Sequence, residues 1–393
     1  MLSNQNLYDK QTYCIFSAQY LPHMGGVENY TYHLSQELIR LGNRVIIITC
    51  NTVDLENISY PSSNLTVVRL PCYPLLDGRF PLLKKNTIYK KLINDVIALH
   101  IDNIVINTRF YPLSLQAAKL AKKKGIRPIL IEHGSAYLTL GNRIIDFFIK
   151  KYEHAITYII KQHPIDFYGV SKASSKWLKT FGIQSKGELN NAINATKFRE
   201  SASKRDFRKE LNLPQDAFVV SFTGRFIPEK GIPALLRAAD SLSNNSSIHF
   251  FLAGDGPLKP EIEQKNLKNV HLLGKLSPED VAAMLLTSDA FCLPTRSEGF
   301  STSLLEAAAC ETTPIITNVG GAEELISSKE YGFLLKNSSS ECITASILYL
   351  LNHKTECKKM AKQIYNKVSD RFKWSVTTDA LIRACEETNT SAK

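Results

Sequence analysis

Metal-binding and redox cysteine motifs are missing from this sequence. Its eight cysteines, Cys14, Cys50, Cys72, Cys292, Cys310, Cys342, Cys357 and Cys385, include no CxxC pair. Neither a zinc site nor a thioredoxin-type site is therefore signalled. Several of them stand inside apolar runs, where cysteine behaves as a small buried hydrophobe, as expected of reduced thiols in a reducing compartment. Nowhere do 18 apolar residues run together, so no membrane-spanning helix is expected. The opening stretch MLSNQNLYDKQTYCIF lacks a basic segment followed by a long apolar one, so no signal peptide is evident and the reading is cytosolic. No Asp-x-Asp stands at a strand end, and repeats and low-complexity tracts are absent. With 44% hydrophobic and 22% charged residues, the chain is neither disordered nor collagenous.

What the sequence does have is an uneven charge. Its 393 residues, enough for two domains, carry 48 Lys+Arg against 37 Asp+Glu, a net +11. Residues 1–200 hold 25 Lys+Arg and 14 Asp+Glu, whereas residues 201–393 hold 23 of each. The whole excess is N-terminal, which points to an anionic partner for that half. Nucleic acid is not favoured, because no recognised motif or interleaving of aromatic and basic residues accompanies the charge.

Short β-branched runs alternate with helical patterns, the signature of parallel sheets with crossover helices. The first half offers TYCIFSA (12–18), RVIIITC (44–50), LTVVRL (65–70), NIVIN (103–107), PILIEH (128–133) and DFYGV (166–170). The second offers AFVVSFTG (217–224), IHFFLAG (248–254), VHLLG (270–274), DAFCLP (289–294) and TPIITN (313–318). Between the halves, FRESASKRDFRKELNLPQD (198–216) is polar and free of strand pattern, and reads as a hinge. Past about residue 338 only helical patterns remain, with DRFKWSVTTDALIRAC the last. The expectation is an α/β protein of two Rossmann-like, doubly wound domains facing a cleft, with ligands at the carboxyl ends of the strands. The domains are placed at 1–197 and 198–372, with a final helix at 373–393.

Four constellations stand at such strand ends. In SFTGRFIPEKG (221–231), Arg225 supplies a fork of donors and Lys230 a point charge, a pair suited to a diphosphate. Two exposed loop cations are the plain alternative. In PTRSEGFSTSLLEAAAC (294–310), Glu298 precedes a helix expected to begin near Phe300, and Glu306 lies about two turns into it. The helix N-terminus between them favours a phosphate. Glu306 interrupts an apolar run, where a carboxylate is costly without a partner; a ribose hydroxyl pair would serve, though it also reads as a helix-surface glutamate. In SAQYLPHMGGVENY (17–30), Gly25-Gly26 permit close backbone approach to a ligand, or simply a turn. His133 ends the run IEHG (131–134), where a structural role is the commoner one.

Taken together, GGVENY (25–30), GRFIPEKG (224–231), AGDGPL (253–258), EGFSTSLLE (298–306) and NVGGAEEL (318–325) give a chain that resembles the glycosyltransferase family 4 group. Its members are retaining, nucleotide-sugar-dependent enzymes with the GT-B fold. The resemblance spans nearly the whole chain. It implies that Arg225 and Lys230 hold the donor diphosphate, Glu306 the nucleotide ribose, and Glu298 the transferred sugar. Gly299, Phe300, Ser301 and Thr302 complete the donor-binding set, Gly25 and Gly26 close over the diphosphate, and His133 sits near the sugar. Arg225, Lys230, Glu298 and His133 are the implied catalytic residues. The last helix is expected to cross back onto the N-terminal domain. Where the family often has Cys-Gly after the second glutamate, this chain has Cys310-Glu311.

The implied activity is hexosyl transfer from a nucleotide diphosphate sugar, UDP or GDP, to a glycan or lipid-diphosphate-linked acceptor. No metal and no cofactor are implied. The setting would be cell-surface polysaccharide synthesis, of lipopolysaccharide or capsule, on the inner face of the cell membrane. The amphipathic RIIDFFIKKYEHAITYIIK (143–161) and the lysine pairs fit docking on an anionic membrane. A sugar-nucleotide epimerase or hydrolase on the same fold, or a non-catalytic sugar-nucleotide-binding module, are the alternatives.

Overall fold

A computed structural model of the chain describes residues 10–76, 78–139 and 141–390. Two compact units divide it: one runs to Asn190 and takes in Trp374 onward, and the other spans Asn191–Lys373.

The first unit is built on a seven-stranded sheet. Its strands are β1 (Thr12–Phe16), β2 (Arg44–Cys50), β3 (Ile58–Ser62), β4 (Leu65–Leu70), β7 (Asn103–Asn107), β8 (Ile129–Glu132) and β9 (Asp166–Gly169), in the order β3-β4-β2-β1-β7-β8-β9. A separate hairpin pairs β5 (Cys72–Leu75) with β6 (Phe80–Leu83). All neighbours in the large sheet are parallel except β3 on β4. Cys14 of β1 sits opposite Ile46 on one side and Ile104 on the other. Such strands are covered on both faces, so their runs of Val and Ile are buried without alternation.

The second unit carries six strands: β10 (Phe218–Thr223), β11 (Ile248–Ala253), β12 (Val270–Gly274), β13 (Ala290–Leu293), β14 (Thr313–Thr317) and β15 (Phe333–Leu335). They pair in parallel in the order β12-β11-β10-β13-β14-β15. In each unit the chain winds outward from a central strand and then returns to that strand's other side. The reversal falls between β1 and β7 in the first unit, and between β10 and β13 in the second. These are the positions where open α/β sheets leave a crevice beyond the strand ends.

The structure departs from the sequence reading in four places. Residues 198–216, read as a hinge, lie inside the second unit, where they carry the end of the helix Ala195–Glu200 and the whole of Phe207–Glu210. Phe207 is buried there, and Arg208 binds Asp289 at 2.7 Å, so the polar segment is anchored by one aromatic and by paired charges. The last helix is not continuous through DRFKW. One helix ends at Arg371, and the next, Trp374–Thr390, belongs to the first unit and packs on the helix Gly26–Arg40. The strands β3, β5, β6 and β15 have no counterpart among the runs singled out above. Finally, Glu311 takes the left-handed conformation that glycine would adopt freely (φ 53°), and its carboxylate pairs with Arg199.

All eight cysteines are unpaired thiols, and burial pushes Cys14, Cys292 and Cys385 far above their ordinary pKa. No helix among the described residues is long and apolar enough to cross a membrane.

Candidate functional site

In the second unit, the loops that follow β10 and β13 meet at the reversal point. β10 ends at Thr223; Arg225 follows on the exposed surface, and Pro228–Lys230 form a single 3-10 turn. Gly231 closes that turn at φ 80°, and a Cβ there would lie 2.1 Å from the carbonyl oxygen of Pro294, at the end of β13. Only glycine lets the two loops approach so closely. They are also joined by hydrogen bonds to the Glu229 carbonyl, from the Arg296 amide at 2.8 Å and the Thr295 hydroxyl at 3.1 Å. The consequence is chemical: the Lys230 ammonium forms an ion pair with the Glu298 carboxylate, and both side chains are largely buried.

Beyond Glu298 the chain is held from below. Gly320, at φ 57°, would place a Cβ 2.5 Å from the Glu298 carbonyl and 2.6 Å from that of Gly299. Phe300 is buried against Gly321 and packs on Phe372, with ring centroids 5.4 Å apart and the planes tilted by 52°. The following helix is Thr302–Ala309, two residues later than the sequence implies. Ser301 is its N-cap and accepts from the Leu304 amide at 3.2 Å. The Asn191 amide donates to the Phe300 carbonyl and to the Thr302 hydroxyl, each at 3.3 Å. Glu306 therefore lies about one turn into the helix rather than two, and burial alone pushes its carboxyl up to about 7.

In the first unit, β1 leads to Gly25 and Gly26 and then to the helix Gly26–Arg40. Gly25 has extended backbone geometry and carries the Glu28 carboxylate above it; an added Cβ on Gly26 would touch nothing. Internal packing thus leaves Gly26 unexplained. His133 follows β8, with its Nε2 2.9 Å from the Asn107 side-chain oxygen and its ring edge-on to Tyr30 at 4.8 Å. Burial pushes its pKa down to about 3, so the imidazole is neutral at physiological pH. The loop that carries it is tied down by a buried ion cluster. Arg109 binds Glu132 at 3.1 Å and Glu153 at 2.7 Å, and these carboxylates accept from the amides of Gly134 and Leu138.

Known families match both halves in turn. Residues 24–186 match the model described as "Glycosyltransferase Family 4", and residues 203–367 the model described as "Glycosyl transferases group 1". The chain is a glycosyltransferase of the family 4 and group 1 type. Among its relatives is the GPI3 subunit of phosphatidylinositol N-acetylglucosaminyltransferase from Saccharomyces cerevisiae, 25% identical over 348 residues, covering 83% of this chain and 72% of the yeast protein. Another is a putative teichuronic acid biosynthesis glycosyltransferase, TuaC, from Bacillus subtilis. It is 32% identical over 171 residues, 43% of this chain and 42% of its own length. Solved structures share the fold. Sucrose-phosphate synthase from Thermosynechococcus elongatus superposes with a TM-score of 0.74 at 17% identity, covering 97% of this chain and all of its own. HepE of Anabaena, in complex with UDP and glucose, gives 0.73 at 16% identity, over 96% of this chain and 100% of its own. The fold is that of the GT-B glycosyltransferases.

Within this glycosyltransferase, the second unit brings Lys230, Glu298, Gly299, Phe300, Ser301 and Thr302 together around joined loops, and the first unit places His133 beside Asn107. Sequence reasoning overlooked Asn107, Thr31 and the Arg109 cluster. Asn107 ends a strand next to the reversal point, which was the one available signal. Among the described residues, no group of three His, Cys, Asp or Glu side chains is disposed to hold a metal ion.

Proposed function

We propose that the glycosyltransferase moves a hexose-type sugar, with retention, from a nucleotide diphosphate sugar to a glycan or lipid-linked saccharide in cell-surface polysaccharide synthesis. The observation that carries this reading is the Lys230–Glu298 ion pair at the reversal point of the second sheet. A cation and a carboxylate held together in this way are poised to change partners. An arriving diphosphate takes Lys230 and Arg225, and Glu298 is then released to a hydroxyl of the sugar. The first turn of the helix Thr302–Ala309 adds backbone N–H groups toward the phosphates. As the bond to the diphosphate breaks, these donors stabilise the charge on the departing oxygen. The acceptor hydroxyl attacks the anomeric carbon from the face the diphosphate leaves, and its proton passes to a phosphate oxygen. Glu306 holds the ribose, Gly25 and Gly26 approach the diphosphate, and His133 meets the sugar. That HepE was crystallised with UDP and glucose supports a uridine donor.

An anionic membrane is the proposed setting. The helix Arg143–Ile160 exposes Ile144, Ile145, Phe147 and Phe148, followed by Lys150 and Lys151. Apolar side chains beside lysines suit a bilayer carrying acidic lipids, where a lipid-linked acceptor would lie.

The test is product analysis with a panel of UDP- and GDP-sugars and extracted lipid acceptors, reading anomeric configuration by NMR. Transfer with retention is expected, and Arg225→Ala or Lys230→Ala should each lower turnover by on the order of 10²-fold. A glycosyl adduct on Glu298 would overturn the single-displacement route. Epimerised or hydrolysed donor without transfer would overturn the reading as a whole.

A further inference from the structure

The hydrogen bonds behind His133 determine which of its nitrogens carries the proton. Asn107 is buried at the end of β7 and stands between two partners. Its Nδ2 lies 2.9 Å from the Thr31 hydroxyl oxygen, and its Oδ1 lies 2.9 Å from His133 Nε2. A side-chain amide can be turned either way, so its orientation must come from what the partners can give. Thr31 has one hydroxyl proton, and at 2.7 Å it is donated to the Val27 carbonyl one helical turn back. Ser17, the other hydroxyl near Thr31 at 3.4 Å, donates its proton to the Gln19 carbonyl at 2.8 Å. Both protons are committed to backbone acceptors. Toward Asn107 the Thr31 oxygen can only accept, so the amide must present its NH2 group there and its carbonyl oxygen to His133. A carbonyl oxygen cannot donate, and His133 Nε2 must therefore carry a hydrogen. Because the ring is neutral, Nδ1 is then a bare lone pair.

We propose that Asn107, oriented by Thr31, is a positioning residue that locks His133 in the Nε2-protonated tautomer, so that Nδ1 serves as a hydrogen-bond acceptor for a substrate hydroxyl. This rests on the reading of His133 as a sugar contact. It adds a direction to that contact: the histidine accepts a hydrogen bond from a hydroxyl, donates none to the substrate there, and carries no charge. A ligand offering only an acceptor at that position, such as a deoxyfluoro sugar, leaves the lone pair unmatched and is rejected. The other groups facing the imidazole do not alter this. Tyr30, from the helix Gly26–Arg40, gives its hydroxyl proton to the Leu189 carbonyl at 3.1 Å and offers only a ring edge. Glu132, the preceding residue, is held by Arg109 and the Gly134 amide.

The experiment has two arms on the full chain. In the first, the protein is labelled with 15N-histidine, and the His133 signals are assigned by their loss in His133→Gln. Long-range 1H–15N correlation of the unliganded protein should show neutral, Nε2-protonated His133 from pH 5 to 8. In Thr31→Val, which removes the acceptor that orients the amide, a second tautomer should appear. In Asn107→Asp, a carboxylate replaces the carbonyl and the ring should titrate within that range. An Nδ1-protonated ring in the wild type, or variants without effect on tautomer and titration, would overturn the proposal whatever the substrate. In the second arm, kcat/KM for the sugar-nucleotide donor is measured against pH. Asn107→Asp should lose about tenfold per unit below the new pKa, where the acceptor lone pair is protonated, while the wild type stays flat there. If the tautomer is as stated but neither variant changes donor kinetics, the sugar-contact reading fails on its own.

Discussion

Arg109 offers a sharp test of how the first unit holds its histidine loop. Its guanidinium is 1% exposed and lies between two carboxylates that are equally buried, Glu132 at 0% and Glu153 at 1%. It also stacks on Phe181, with 3.8 Å between its central carbon and the ring centroid. Replacement by leucine removes the partner of both carboxylates and leaves them in place. Breaking a buried ion pair from one side costs about 3–5 kcal/mol, because an uncompensated charge stays behind. At roughly 2–4 °C per kcal/mol for a unit of this size, Tm should fall by about 6–20 °C. The loss must also depend on pH. Burial already pushes the Glu153 carboxyl above its usual range, against the pull of the Leu138 amide and of Arg109. Without Arg109 the upward shift of Glu153 grows. An acid whose folded pKa is raised holds its proton more tightly when folded, so its contribution is fully favourable below the unfolded value, near 4.3, and is lost as pH rises through the folded one. The gap between Arg109→Leu and the wild type should therefore be narrow near pH 5 and widest at pH 8. Both tryptophans, Trp177 and Trp374, lie in this unit, so their fluorescence reports its unfolding without interference. Adding Glu132→Gln and Glu153→Gln keeps the acceptors for Gly134 and Leu138, removes the charge, and should restore most of the stability. Wild-type melting at pH 8, or a gap that widens toward acid, would refute the reasoning.

Four further outcomes follow from the sites described. Glu306, raised to about 7 by burial, contributes stability that falls as pH rises from about 4.5 through 7; Glu306→Gln should flatten that profile and gain up to about 3 kcal/mol at pH 8. UDP affinity, measured calorimetrically, should weaken below pH 7 in the wild type and lose that slope in the variant. Gly320→Ala, at φ 57° and with its new Cβ 2.5 Å from the Glu298 carbonyl, should displace the Glu298 loop and lower donor kcat/KM by on the order of 10²-fold in steady-state assays. Phe147→Asp with Phe148→Asp should abolish flotation with anionic liposomes at low salt while leaving Tm within about 2 °C, since both rings are exposed.

The central strands were legible because parallel strands covered on both faces leave unbroken β-branched runs: RVIIITC and NIVIN coincide with β2 and β7. The strands that escaped notice lack that cause. β3 is an antiparallel edge with Pro61 inside it and exposed residues toward its end, and β15 has only three residues. The break before Trp374 was hidden because helical periodicity runs on through DRFKW, and the turn at Phe372 is set by a contact from afar: its carbonyl accepts from the Ile193 amide at 2.8 Å. The same division holds in the sites. Loops at strand ends announce themselves by glycine and isolated charge, which is why Arg225, Lys230 and Glu298 could be singled out. Asn107 and Thr31 stand 76 residues apart, and neither sits in an unusual local pattern. A relay of that kind arises from the fold.

The surplus positive charge of the first 200 residues is not one feature with one cause. Lys122, Lys123 and Lys124 form the last turn of the helix Pro112–Lys124, where cations oppose the negative end of the helix dipole. Lys124 also reaches the carbonyls of Ile97 and Leu99, both at 2.8 Å, and so ties one helix end to another. Lys186 and Arg127 neutralise Asp166, which is buried at the start of β9. These cations have structural work to do and carry little weight as evidence for an anionic partner. Lys150 and Lys151 differ from them. They share a helix with a run of large apolar side chains left open to solvent; Lys151 lies over the ring of Phe147, a member of that run, and Lys150 over that of Tyr137. Sequence counting spreads the membrane argument over half the chain, whereas the structure concentrates it on the opening turns of one helix. A double substitution there is therefore a stricter test than any general removal of lysines.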